Sequence, residues 1–97
     1  MKFKTVYIID HPIRDLPAYA WWCSNNANDL FENFMITSST ISVNLIKEIK
    51  PNVIVWNYAR PQNSYLIRYA FLKGIKNIIH DTEGILYCDR DYFASVD

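Results

Sequence analysis

The chain has 97 residues, of which 51% are hydrophobic and 15% aromatic, so it can build the core of one small domain without disulfide or metal staples. Ten basic and ten acidic residues give a formal net charge of zero, which argues against nucleic acid or an anionic membrane as a partner. The two cysteines, Cys23 and Cys88, fit neither a zinc site nor a secreted disulfide scaffold. No apolar run approaches the roughly 18 residues of a transmembrane helix and no signal peptide is evident, so a cytoplasmic protein is expected.

The first third of the chain predicts a strand, a helix and a second strand. The apolar run from Lys4 to Asp10 predicts the first strand. Asp15 as N-cap and Pro17 in the first turn predict a helix from about Leu16 to Asn26. This helix is apolar nearly all round, so it is expected to be buried on more than one side. A second strand is predicted from Leu30 to Thr37.

A second helix and a third strand follow. The hydroxyl side chains of residues 38–40 predict a helix start, and the helix is expected to run from about Thr40 to Lys50. Pro51 ends it, because proline cannot continue a helix at that position. The short apolar run Val53 to Trp56 or Asn57 predicts a buried strand with a polar end.

The last part of the chain predicts a third helix and a fourth strand. The helix is expected to begin near Pro61 and to end at about Gly74. Its predicted apolar stripe consists of Leu66, Ile67, Ala70 and Phe71. Asn77 to His80 predicts the fourth strand, and the tail beyond Gly84 predicts a loop that leads to the start of another helix.

Strand and helix alternate along the chain, which is typical of a parallel sheet with right-handed crossover connections. We therefore predict an α/β fold: a Rossmann-like or flavodoxin-like three-layer sandwich with helices on both faces of a four-stranded parallel sheet in the order 2-1-3-4. We expect residues 1–97 to form one such domain. The switch point lies between the first and third strands, and ligands of open α/β sheets bind at the carboxyl ends of the strands beside such a point.

Three turns meet at that edge, and together they supply the candidate site residues. These are Asp10, His11 and Arg14 from the first turn, Asn57, Tyr58 and Arg60 from the third, and His80, Asp81, Thr82 and Glu83 from the fourth. A carboxylate beside a histidine can act as a general base, and an arginine can hold an anionic group. Neighbours on a strand point to opposite faces, so Asp10 and His11 need not form a working pair.

Each of these residues also has a structural interpretation. Asp10 can cap a loop or helix, His11 can be a solvated loop residue, and Arg60 can form an ion pair without binding substrate. The turn Asp81-Thr82-Glu83-Gly84 is the strongest local signal, because it combines two carboxylates with a turn glycine. No glycine-rich phosphate loop, zinc-type spacing or serine elbow is present, so no metal or cofactor is expected.

Two stretches resemble a known family. The first is residues 9–16, which contain Asp10-His11-Pro12. The second is residues 46–61, which contain Lys50-Pro51-Asn52-Val53 and are followed further along the chain by His80-Asp81-Thr82-Glu83-Gly84. They resemble the N-terminal region of bacterial surface-carbohydrate (polysaccharide) biosynthesis proteins, which are glycosyltransferase-like enzymes of the two-domain GT-B architecture. The resemblance covers most of the chain up to Gly84, and its two aspartate-containing turns are its more specific parts.

The resemblance implies transfer of a sugar from an activated donor to a polysaccharide or lipid-linked acceptor. It implies an acceptor-side domain with Asp10 or Glu83 as candidate catalytic base and Arg60 as an acceptor or phosphate contact. A C-terminal domain would bind the sugar nucleotide, so the chain is expected to be the N-terminal part of a larger protein, and 97 residues alone are not expected to catalyse. The alternatives are a non-catalytic binding or regulatory module, and a half-domain that pairs through its aromatic surface.

Overall fold

The computed structural model describes residues 2–25, 29–57 and 61–80, without the side chains of Pro12 and Arg14. These residues form four strands and three α-helices in strict alternation. In chain order they are β1 (Phe3–Ile9), α1 (Pro12–Asn25), β2 (Phe31–Thr37), α2 (Val43–Ile49), β3 (Val53–Asn57), a short 3-10 turn (Pro61–Asn63) that leads into α3 (Ser64–Leu72), and β4 (Lys76–His80).

The four strands form one parallel sheet in the order β2-β1-β3-β4, which confirms the predicted fold class and strand order. Val6 pairs with Phe34 on β2 and with Ile54 on β3, and Val55 pairs with Ile78 on β4. Because all strands run the same way, one end of the sheet holds every carboxyl terminus and the other every amino terminus. We call these the carboxyl end and the amino end.

Alternate residues of the central strands point to opposite faces of the sheet and build two separate cores. On one face, α2 and α3 pack with Val6, Ile8, Ile54 and Trp56. On the other face, α1 contributes Tyr19, which packs with Tyr7, Ile9, Val53 and Val55. The sheet is therefore covered on both faces, which is why its central strands are almost continuously apolar.

The first helix differs from its prediction. It begins at Pro12, four residues before Leu16, because proline suits the first helical position, where an N–H has no helical partner. Asp15 therefore lies in the first turn and is not the N-cap, and Pro17 lies inside the helix. The expected burial on more than one side is also wrong, since Tyr19 is 1% exposed but Trp21 is 63% exposed.

The other two helices also differ in detail. The N-cap of α2 is Ser42, whose Oγ accepts a hydrogen bond from the amide of Leu45 at 3.1 Å, so residues 38–40 form a turn before the helix. In α3, Leu66, Ile67 and Ala70 are buried as predicted, but Phe71 is 73% exposed. Gly74 adopts a φ of 78° after α3, as expected for a glycine that ends a helix.

Candidate functional site

The predicted site residues that the structure describes lie at the carboxyl end of the sheet, beside the switch point. Asp10 and His11 follow β1 directly, Asn57 is the last residue of β3, and His80 is the last residue of β4. Because β3 alone separates β1 from β4, and neighbouring strands lie about 4.8 Å apart, the ends of β1 and β4 are about 10 Å apart. One small ligand can therefore span this edge.

A buried polar pair joins β3 to the start of α1. Asn57 is 1% exposed and Asp15 is 2% exposed. The Nδ2 group of Asn57 donates a hydrogen bond to Oδ2 of Asp15, and the backbone N–H of His11 donates to the same oxygen at 2.9 Å. These bonds fix the first turn of α1 against the end of β3, which sets the shape of the switch point.

The amide oxygen of Asn57, unlike its nitrogen, lacks a described partner. Its Oδ1 atom is buried and has no hydrogen-bond partner among the described residues. The carboxyl group of Asp15 requires a donor, so the NH₂ group faces it and the acceptor faces away. A buried acceptor without a partner is uncommon in proteins, and the position is suited to a water or to a hydroxyl or amine of a ligand.

Asp10 is oriented from the neighbouring strand. The hydroxyl of Ser38, the residue after β2, donates to Oδ1 of Asp10 at 3.0 Å, and the amide of Ser38 donates to the Ile9 carbonyl at 2.9 Å. Asp10 is half-buried, so its carboxyl group is held in place and still reaches solvent. This is the arrangement that a general base requires.

His80 lies in an aromatic cluster on the α1 face. Its Nδ1 shares a hydrogen bond of 2.9 Å with the hydroxyl of Tyr19, which is 1% exposed. The ring of Trp22 lies 5.3 Å from the His80 ring, centroid to centroid. Among the described residues Nε2 has no hydrogen-bond partner. The imidazole is therefore fixed at one nitrogen and can meet a ligand with the other.

The two sequence neighbours Asp10 and His11 do not form a pair. The His11 side chain is exposed, and the described contacts include no hydrogen bond between it and Asp10. This follows from the geometry, since Asp10 lies against β2 while His11 leads into α1. His11 contributes its backbone N–H to Asp15, and its ring is open to solvent.

Five of the predicted site residues, Tyr58, Arg60, Asp81, Thr82 and Glu83, lie outside the described residues, as does the side chain of Arg14. The predicted convergence of Asp10, Arg60 and Glu83 stays a prediction.

Three polar residues at this end were not predicted as parts of the site. They are Asp15, Ser38 and Tyr19. Asp15 and Ser38 were interpreted as helix caps, which the same residue types also form. The signal for Ser38 was its position directly after a strand at the carboxyl end. Tyr19 had no signal of its own, because a tyrosine among apolar residues of a helix predicts core packing.

Two other kinds of site, a metal site and a nucleophilic cysteine, find no support in the described ranges. There, no group of three or more histidine, cysteine or acidic residues is placed to hold a metal ion. Burial raises the pKa of the Cys23 thiol, which makes it a poor nucleophile.

No helix within residues 2–25, 29–57 and 61–80 has the length and apolar character needed to span a bilayer.

Comparison with family models, with characterised proteins and with solved structures finds no match to this chain.

Proposed function

We propose that this domain forms the acceptor side of a glycosyltransferase-like enzyme of bacterial surface polysaccharide biosynthesis. The observation that supports it most is the oriented carboxyl group of Asp10 at the switch point. The resemblance of the Asp10-His11-Pro12 turn and its surroundings to that family points in the same direction.

The groups at the carboxyl end suit a ligand with many hydroxyls. Carboxyl, amide, hydroxyl and imidazole groups can each donate or accept hydrogen bonds with a sugar. Asn57 offers a buried acceptor and His80 offers a ring nitrogen, while Asp10 is held by Ser38. No lysine lies at this end among the described residues.

In the proposed reaction Asp10 takes the proton from the attacking acceptor hydroxyl as that oxygen bonds to the donor sugar. The leaving group departs with the electron pair of the broken glycosidic bond. Glu83 is the other candidate for the base. The sugar-nucleotide donor would be held by a second, donor-binding domain, so the 97 residues alone bind the acceptor without turnover.

The test has a binding arm and a turnover arm. The backbone amide spectrum of the 97-residue chain is titrated with a panel of methyl glycosides. We expect shifts at Ser38, Asn57 and His80, with none at Lys50 or Lys76 at the opposite end. Shifts absent for every glycoside, or confined to the amino end, would contradict the proposal.

Turnover is measured with a form that includes the donor-binding part. Asp10→Asn keeps an acceptor for Ser38, and we expect it to lower kcat by about 10²–10⁴-fold, the usual contribution of a general base. The matched control is Asp29→Asn, an exposed carboxyl group at the amino end, which should leave kcat unchanged. The change Glu83→Gln tests the second base candidate. Unchanged turnover in both variants would remove Asp10 and Glu83 as base candidates, and glycoside binding without any turnover would favour a non-catalytic binding module.

A further inference from the structure

All six lysines of the chain lie at the amino end of the sheet. Two are at the start of β1, one begins β4, and three lie at or just after the ends of α2 and α3, which return to this end because the sheet is parallel. They are Lys2, Lys4, Lys76, Lys47, Lys50 and Lys73. Residues spread over most of the sequence thus form one basic surface, which we call the lysine end.

The described carboxylates at the lysine end balance only part of its positive charge. Asp29, Glu32 and Glu48 are the described carboxylates in the same part of the domain, half as many as the lysines. Among the described residues no lysine forms an ion pair. Lys4 Nζ instead donates to the carbonyl of Ile49 at 3.0 Å.

The helix dipoles explain only some of these lysines. Lys47 and Lys73 lie at the carboxyl ends of α2 and α3, where a cation is favourable. Lys4 lies on a strand but reaches the last carbonyl of α2, that of Ile49, whereas Lys76 lies on a strand with no helix end assigned to it. Lys50 adopts a φ of 55°, a left-handed conformation that costs free energy for any residue except glycine. The helix dipoles therefore do not account for Lys2 and Lys76.

Exposed apolar side chains lie among the lysines. Phe71 and Leu72, the last residues of α3, are 73% and 74% exposed, and Leu30 before β2 is 68% exposed. Phe3 and Phe31 are partly exposed at the first positions of their strands, with ring centroids 5.9 Å apart. Lysines mixed with aromatic and aliphatic side chains are typical of surfaces that lie in the headgroup region of a bilayer.

We propose that the lysine end docks on an anionic lipid bilayer, with its lysines at the headgroups and Phe71 and Leu72 in the interface. The proposal does not rest on the glycosyltransferase assignment. Nucleic acid fits less well, because phosphate recognition favours the arginine fork, and Arg68, the one arginine whose side chain is described, lies within α3 and away from its end. Exposed leucines also make no favourable contact with a phosphate backbone.

The test is flotation of the protein with vesicles of phosphatidylcholine, with and without phosphatidylglycerol, at low and high salt. We expect binding to the anionic vesicles alone, and loss of that binding at high salt. The triple variant Lys47→Gln/Lys50→Gln/Lys73→Gln should lower the partition coefficient by roughly 100-fold, since each lysine contributes roughly fivefold. All three side chains are surface groups, and a thermal melt verifies that the variant is folded.

Two matched pairs of variants distinguish docking on a bilayer from attraction by charge alone. Arg68→Gln removes one charge within α3 and Lys73→Gln removes one directly after it, and only the second should weaken binding. Leu72→Gln should weaken it as well, whereas Ile13→Gln, an 89% exposed residue at the other end, should not. Equal effects within each pair, or heparin binding as tight as vesicle binding and unaffected by Leu72→Gln, would overturn the proposal, as would the absence of vesicle binding.

Discussion

The two ends of the sheet use polar groups in opposite ways. At the carboxyl end the described polar side chains of the candidate site, apart from His11, are buried or half-buried and held by hydrogen bonds, as for Asp15 and Asn57, which are 2% and 1% exposed. At the amino end the lysines have no ion-pair partner among the described residues. Buried groups act through geometry over about 3 Å, and exposed charges act through their summed field over about 10 Å. The same fold thus has hydrogen-bonded, fixed polar groups at one end and a diffuse electrostatic surface at the other.

The two ends of β3 provide the strongest test of this contrast, because each has an asparagine that accepts or donates a long-range hydrogen bond. Asn57→Ala removes a buried donor to Asp15 and should lower the free energy of unfolding by about 2 kcal/mol. Asn52→Ala removes the exposed acceptor of the Lys4 amide, a bond of 2.8 Å, and should cost about 0.5 kcal/mol. Urea denaturation measures both. Equal costs would mean that the carboxyl end is no more dependent on buried geometry than the amino end.

The aromatic cluster at the carboxyl end provides a second, smaller test. Tyr19→Phe removes the hydroxyl that bonds His80 Nδ1 and should lower the free energy of unfolding by about 1 kcal/mol. It should also change the ring-nitrogen chemical shifts of His80, which a loss of packing alone would not do. Tyr65→Phe is the control, since Tyr65 is 60% exposed and the change should be within about 0.5 kcal/mol. Unchanged nitrogen shifts in Tyr19→Phe would show that the bond does not form in solution.

The smallest expected effect concerns the lysine that ends α2. Lys50→Gly relieves the left-handed conformation, and the added chain entropy of glycine offsets part of that gain, so the stability should rise by a few tenths of a kcal/mol. The same change at Lys47, inside the helix, should cost about 1 kcal/mol. A stabilised Lys50→Gly protein with weakened vesicle binding would show that a lysine is kept there at the expense of stability. A destabilised one would show that the side chain is needed for folding.

The strand order and the sandwich were predictable because strand and helix alternate with clear turn residues between them. The start of α1 was not, because Asp15 and Pro17 together resemble a helix start as strongly as Pro12 does. Propensity at helix ends is a difference of a few tenths of a kcal/mol, and the long-range bond from Asn57 to Asp15 outweighs it. Local sequence therefore could not locate this boundary.

The position of the candidate site in the fold could be predicted from the sequence, but its residues could be predicted only in part. Asp10, Asn57 and His80 could be assigned to one edge because each ends a strand or follows one directly. Their partners Ser38 and Tyr19 come from other elements, 28 and 61 residues away in sequence from the groups that they contact. The net charge of zero likewise gave no indication of the lysine end, because it sums charges over the whole sequence, whereas the fold brings the lysines together at one end.

The bond between Asp15 and Asn57 also has a consequence for the order of events in folding. It joins residues 42 positions apart, so a chain that has formed only β1, α1 and β2 still lacks the amide that fixes the first turn of α1. Contacts of such separation form slowly, because the intervening loop must first be closed. The carboxyl end therefore stays incomplete until β3 adds to β1, because a nascent chain that has not yet extended through β3 contains Asp10 and Ser38 but lacks the Asn57 amide.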